Sequence, residues 1–545
     1  MTKASPANSR ERQRGAIGLL GVATLLLAAL FAALVVDSGR LWMQKRHLQT
    51  VADIASIQAA RQLGCGVVLA NVVQSAQSAA VANGYTGNLA NNPNIVDIVN
   101  VTTVGGIRQF TTGGSEAVRV YATREVPSSL VAGGLLGGTV VLHAQAVSRA
   151  DPAIAAFSAG SFAASIDTKD SVLLDGIFSD ILGSSVDLDL VSYQGIAATN
   201  ITLNELLEAS GQVGGLESLL STSMTLSGLA SLMADAVNNS GTANADAKLG
   251  MQQLAAATVD NTSITLGDVL NVTTPDEEAA GKVGVNALSL ITTSALIANG
   301  NHALSVPLSV SVPGITSITG QINIIEPPQL VIGPAGSGGA ICTTLRTAQV
   351  EAAVDVNVSI LGLAKIDLSL NAEVAQGTAG LGSVVNSSGQ TDVTINATPG
   401  IASLSLKNTA GTGPAAITTL GGLHVADLTL DLPIQPAAAQ ALVFNVDHPI
   451  ADNLPQTKTV SSPVGDSLAN ALGQSGVIEV DPLGLGGILN AVLINTVVTT
   501  VVTPLLVQIG EAFLDPLLEM LGIQVGGMDV TLEGIQIRQT EPLII

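Results

Sequence analysis

Aromatic side chains are scarce: seven Phe, three Tyr and one Trp among 545 residues. That scarcity argues against carbohydrate or single-stranded nucleic-acid sites, which stack their ligands on flat rings. Charge is thin as well, at 11%, and lopsided, with 20 Lys and Arg against 42 Asp and Glu. Four of those cations (Lys3, Arg10, Arg12, Arg14) and one acid (Glu11) fall in the first 14 residues. The remainder carries 16 cations against 41 acids, a net charge of −25, so as a whole it repels nucleic acid and anionic surfaces. No nucleic-acid partner is expected.

Apolar residues make up 47% of the chain, which separates it from disordered acidic tails. They are mostly Ala, Val, Leu and Ile, suited to layered helices and sheets. The longest clean run, Gly15–Val36, holds no charge. At about 1.5 Å per residue it makes a helix of roughly 33 Å, enough to cross a ~30 Å hydrocarbon core. A signal peptide is the competing reading, but its apolar core is usually shorter and ends in a small-residue cleavage site. The expectation is an uncleaved, single-pass anchor (15–36) behind a cytoplasmic basic tail (1–14). Arg40, Lys45 and Arg46 follow the span, so the charge asymmetry is weak. The tail still favours an inner-membrane protein with its N-terminus in the cytoplasm and its bulk in the periplasm or outside.

Leu41, Leu48, Ala52, Ala55, Ala59 and Leu63 recur at helical spacing with no Pro or Gly between Leu41 and Leu63. The anchor is therefore expected to run on as one helix to about Leu63. Gly64 and Gly66 mark a break, Val67–Val81 resumes a helix, and Asn83–Asn94 reads as a loop. Strands are expected at Ile95–Val104, Ala117–Val126 and Thr139–Ser148, with a Gly-rich apolar loop (SSLVAGGLLGG) before the third.

Arg14-Gly15 before the span, Asp37-Ser38-Gly39-Arg40-Leu41 after it, and Leu48-Gln49 with Ala52-Asp53-Ile54-Ala55 resemble the N-terminal pattern of the TadE/TadG-like family. That resemblance implies tight-adherence (Flp) pilus machinery, a pilin-like module at 37–150, and other pilus-assembly or pilin-like proteins as partners. Val51, Ile54, Ser56, Ile57 and Gln58 stand where the family has mostly alanine. Prepilin processing would want Glu at the position of Leu20. The chain is thus closer to the larger TadG-like members that keep their anchor.

From 151 to 545 a large extracytoplasmic region is expected. Leu173, Leu174, Ile177, Phe178, Ile181 and Leu182 share one helical face, and LNELLEA and LESLLS repeat the theme. Val350–Ile360 and Ile366–Val374 alternate as a long hairpin joined through Leu361–Lys365, with one apolar face that helices must cover. Gly484–Gly510 is uncharged, but its Asn, Thr, Pro504 and Gln508 favour a buried element over a second span. Leu514, Leu517, Leu518 and Leu521 suggest a final helix before a strand at Met528–Ile537. The fold class is α+β throughout.

Cys65 and Cys342 are too few for a metal framework or a disulfide scaffold. In an oxidising compartment they can bridge the first helical region to the distal one; two unpaired buried thiols is the alternative. The five histidines (His47, His143, His302, His424, His448) lack metal-ligand spacing. No G-x-S-x-G elbow occurs, and GPAGSGGA (Gly333–Ala340) lacks the Lys-Ser/Thr of a phosphate loop and reads as a flexible loop. Asp187 with Asp189, and Asp276-Glu277-Glu278, fit no calcium loop; the second suits a helix start. Several N-x-S/T triplets (Asn200, Asn261, Asn271, Asn357, Asn386, Asn396) carry little weight. Ala28/Ala32 and Ala29/Ala33 are weak helix-association signals. No catalytic, metal or cofactor site is expected. Two functions remain: a non-catalytic envelope component of pilus assembly or surface adhesion, or an anchored module holding an apolar ligand such as a lipid in a groove.

Overall fold

The computed structural model describes residues 14–545 except 105–106, 115, 130–137, 151–152, 160–167, 240–244, 258–262, 274–276, 301, 309–317, 337–338, 361–363, 420–421, 431, 433–436, 461–467, 475, 483–493, 525–526, 538–539 and 544–545. The basic tail, most of the SSLVAGGLLGG loop, Asp276, Asn261, the hairpin turn after Ile360 and the first part of Gly484–Gly510 lie outside the described residues. Two compact units are present: 1–150 with 539–545, and 151–538. The C-terminal strand thus belongs with the first unit, where the sequence had suggested the distal region. Its four residues extend an existing sheet edge, and so short an element has no signal of its own.

In the first unit, helix α1 (Arg14–Ala60) is continuous, about 70 Å long at 1.5 Å per residue. Its two halves differ. Apolar side chains from Leu19 to Val36 are 55–77% exposed, whereas Leu48, Val51, Ala52, Ala55, Ala59 and Ala60 are fully buried. The helix stops at Ala60 rather than Leu63, in a turn that precedes positive-φ Gly64 and Gly66. Helix α2 (Leu69–Ala82) buries Val72, Ala76 and Ala80. Strands β1 (Ile95–Val104), β2 (Ile107–Thr112), β3 (Ala117–Pro127) and β4 (Thr139–Ala150) follow. They form an antiparallel sheet in the order β2-β1-β3-β4, extended by Thr540–Leu543 on β4. Val118, Val120, Ala122, Ala144 and Ala146 face the helices, and the alanines let α1 lie close to the sheet.

The second unit begins with Ile154–Ala159, six residues that are all buried. Ile154 and Ala156 join the helical core, while Ala155 and Phe157 point into a second core against the sheet of 344–346, 378–387, 390–398 and 440–447. A strand covered on both faces needs no polar alternation, which explains the unbroken IAAFSA. The hairpin Gln349–Ile360 with Ala364–Val374 forms the middle of an eight-stranded antiparallel sheet. Val350, Val354, Val356, Ile366, Leu368 and Leu370 are at most 1% exposed beneath the helices. That face is closed, so the lipid-groove reading finds no opening there among the described residues.

A repeated device builds the helical layer. Asn200–Thr202, Ser223–Thr225, Ser263–Thr265 and Gly284–Asn286 are three-residue strands, each running straight into a helix. They pair antiparallel, the first with the fourth and the second with the third. The sequence behind it is Ile/Met/Val, then Thr or Asn, then Leu or Ala. The middle side chain caps the helix: Thr202 and Thr265 close capping boxes with Glu205 and Asp268, and Asn286 accepts from Leu288 and Ser289 N–H. Leu203, Leu226, Leu266 and Ala287 then enter the core.

Ile494–Met520 is a 27-residue apolar helical stretch whose most hydrophobic window is half buried. Its Leu505, Leu506, Ile509 and Phe513 are fully buried, while Asn495, Thr499, Thr500, Glu511 and Glu519 face solvent. This is the polarity of a core helix. The last strand of the second unit runs Gly527–Gln536 and pairs with Ile154–Ala159.

Candidate functional site

Among the described residues no three His, Cys, Asp or Glu side chains converge as a metal site. The histidines are dispersed: His143 stacks on Tyr121 with centroids 6.0 Å apart, His302 Nδ1 lies 2.7 Å from Asn299 O, His424 lies 2.8 Å from Asp427, and His448 Nε2 lies 3.0 Å from Thr391 Oγ1. His47 sits on α1, with its ring beside Gly84. Asp189 caps the helix Leu190–Ala197 through Ser192 N–H at 2.9 Å, and that bond holds its carboxyl below the usual range. Glu277 and Glu278 open a short helix, with Glu278 2.7 Å from Lys282. In GPAGSGGA, Gly333 and Pro334 are buried in a strand, so that part is not the flexible loop expected. A Cβ on Gly333 would strike Thr273 and Thr343, which explains the glycine by packing alone.

What the first unit does concentrate is a set of side chains stitching α1 to the sheet. Arg14 and Gly15 open α1. Asp37 accepts a hydrogen bond from Ser129 Oγ, and Arg40 Nη2 donates to Pro127 O while its Nε lies 4.0 Å from Asp37. Pro127 is the last residue of β3, and Ser129 lies two residues beyond it. One turn on, Gln44 Oε1 accepts from Arg124 Nη1 at 3.2 Å. Gln49 Nε2 donates to Gln145 O at 2.9 Å and to Asp53 Oδ1 at 2.8 Å. Leu48, Ala52 and Ala55 fill the core beneath. Every fourth residue or so of the Asp37–Ala55 pattern therefore meets the sheet, because 3.6 residues per turn returns them to one face. Gly39 differs: a Cβ there would meet nothing within 4 Å, so packing in this chain does not require it.

Beside this seam, α1 and α2 enclose an open surface groove of about 570 Å³. Gln58, Gln62, Asn71, Gln74 and Ser78 line it. Ser75 Oγ donates to Gln58 O at 3.1 Å across the helix pair. No residue from Gln62 to Val96 carries a charge, in a protein whose formal charge is −22. In the sequence this stretch reads as helix and loop only. Its signal was the charge-free run itself.

An exposed apolar helix that turns buried where it meets an antiparallel sheet makes a membrane-associated α+β module, and among the described residues it holds no cluster of metal-binding side chains. Residues 58–148 match a family model described as putative Tad-like Flp pilus-assembly, which supports a Tad-related pilus-assembly family and role. Comparison with curated proteins and with solved structures returned no match. The matched segment begins within the buried end of α1, takes in α2 and closes near the end of β4.

Proposed function

We propose that this chain is a membrane-anchored, non-catalytic envelope component of tight-adherence (Flp) pilus assembly or a related adhesion system, acting through protein–protein contacts. The observation that carries this reading is the family match at 58–148, a segment that folds as the helix–sheet module beside the charge-free groove. The first unit serves as a pilin-like module. Asp37, Arg40, Leu48, Gln49, Ala52, Asp53 and Ala55 set how the anchor meets the sheet. Gly15–Val36 crosses the inner membrane, with the basic tail in the cytoplasm and the bulk outside. The uncharged groove receives a pilus-assembly partner, since interface cores are depleted in charge. Cys65 and Cys342 form a bridge, a reading supported by the absence of a free cysteine.

Deleting the gene tests the role: loss of pili and surface attachment, restored by the full chain, is the expected result. Unchanged assembly refutes it. Thiol labelling before and after reduction tests the bridge, which requires both cysteines to be unreactive until reduced.

A further inference from the structure

We infer that the β3–β4 hairpin end of the first unit rests on an anionic phospholipid surface, with Trp42, Val140 and Val141 at headgroup depth beside Lys45 and Arg46. The inference rests on the proposed membrane anchor and adds where the folded module sits against it. The apolar run of α1 ends at Val36, and the next residue, Asp37, is bonded to Ser129. Arg40, one turn further, is bonded to Pro127 O. Those bonds hold the end of β3, at Pro127 and Ser129, level with the point where the helix leaves the hydrocarbon. The headgroup layer adds roughly 5–8 Å on each side of the core, and residues 37–41 rise only about 6–8 Å. The end of the sheet where β3 stops and β4 starts cannot then stand clear of the bilayer.

The side chains at this level suit that position. Trp42 and Met43 are 59% and 64% exposed, and Val140 and Val141 are 37% and 55% exposed. The Arg46 guanidinium lies 4.8 Å from the Trp42 ring centroid, an arrangement in which ring and cation both face the interface. Arg40, Lys45, Arg46 and Arg124 gather here against Asp37 and Glu125, of which Asp37 accepts from Ser129 and Glu125 from Thr139. This end is locally cationic in a chain of net charge −22, and it abuts the span itself. Charge complementarity and continuity with the anchor both select an anionic lipid surface.

Trp42 is the only tryptophan, so the native chain carries its own depth probe. The full-length protein is placed in vesicles of phosphatidylglycerol and phosphatidylethanolamine containing lipids brominated near the headgroup. The expected result is blue-shifted Trp42 emission that the bromolipids quench. A Val141→Trp variant in a Trp42→Phe background reports on the sheet directly and is expected to be quenched too. Lys45→Glu with Arg46→Glu is expected to reduce quenching in these vesicles and to leave it unchanged in phosphatidylcholine. Water-like, unquenched emission from the Val141→Trp variant in protein that resists carbonate extraction overturns the seating and leaves the anchor standing. Release of the protein by carbonate overturns the anchor and the seating together. Equal quenching with and without the two glutamates overturns the anionic preference.

Discussion

Ser56 on α1 and Ser148 on β4 meet hydroxyl to hydroxyl at 2.7 Å, both buried. Their situations differ. Ser56 Oγ also donates to Asp53 O at 2.9 Å, whereas the Ser56 hydroxyl is the side-chain partner of Ser148. Ser56→Ala therefore strands a buried hydroxyl on β4, at a cost of about 1–3 kcal/mol. Ser148→Ala leaves Ser56 its backbone acceptor and costs less. Replacing both is expected to be milder than the sum, because no hydroxyl is left without a partner. Denaturant unfolding of the three variants checks the order; equal costs for the two single changes contradict it.

Glu533 gives the second unit a pH dependence. It is 1% exposed, its Oε1 accepts from Ser158 Oγ, and its Oε2 accepts from Asn286 N–H at 2.7 Å. Burial pushes its carboxyl up from 4.5 to about 7, against the lowering effect of these hydrogen bonds. The folded state holds the proton more tightly than the unfolded chain. The resulting stabilisation is complete below about pH 4.5, is lost as pH rises towards 7, and is absent above. At 1.36 kcal/mol per pKa unit the span is at most about 3 kcal/mol. Glu533→Gln keeps an acceptor for Asn286 and cannot ionise. Thermal unfolding should place the variant level with the wild type at pH 5 and above it at pH 8. Parallel melting curves across that range remove Glu533 as the cause.

The sequence was most legible where one period dominated. The 3.6-residue recurrence from Leu48 to Ala59 located the buried half of α1, and the two-residue alternation at 350–374 located the central hairpin. The strand Ile107–Thr112 was missed because it lies at a sheet edge and buries little, so its side chains show no alternation. The four capped strand–helix units were missed for a different reason. Each strand is only three residues long, and the informative unit, an apolar residue, then Thr or Asn, then Leu or Ala, is repeated at wide intervals that no local window detects. At the site, the Asp37 and Arg40 pattern was visible in the sequence. Their partners Ser129 and Pro127, about 90 positions away, are set by tertiary contact and leave no local signal.

Gly320 owes its identity to one ring. A Cβ built there would lie 2.5–2.8 Å from three atoms of the Phe513 ring, itself fully buried. Phe513 belongs to the π-helical turn Gly510–Leu514, whose first residue would strike Ala469 if it carried a Cβ. The ring sits in the helical core, so any shift to admit a Cβ must displace packed neighbours. Gly320→Ala should destabilise the second unit by about 1–3 kcal/mol through overpacking. Phe513→Leu in the Gly320→Ala background should recover part of that loss, although Phe513→Leu alone is destabilising. Urea midpoints for the two single variants and the double variant measure this coupling; simple additivity refutes the contact as the reason for the glycine.

The groove between α1 and α2 supplies the prediction nearest to function. Gln74 and Ser78 are exposed on its wall, in a segment with no charged residue from 62 to 96. Converting both to Glu leaves the core untouched, since Val72, Ala76 and Ala80 form the opposite, buried face of α2. Folding stability should shift by no more than about 0.5 kcal/mol per substitution, as for other surface changes. A partner seated in the groove would have to desolvate two carboxylates, and no residue lining the groove carries a charge to pair them. Pilus assembly should therefore fall sharply in a strain carrying the double variant, with protein levels and membrane fractionation unchanged. Neutral replacements, Gln74→Asn with Ser78→Ala, should leave assembly near the wild-type level. Normal piliation with both glutamates in place would show that the partner contacts a different surface of the module.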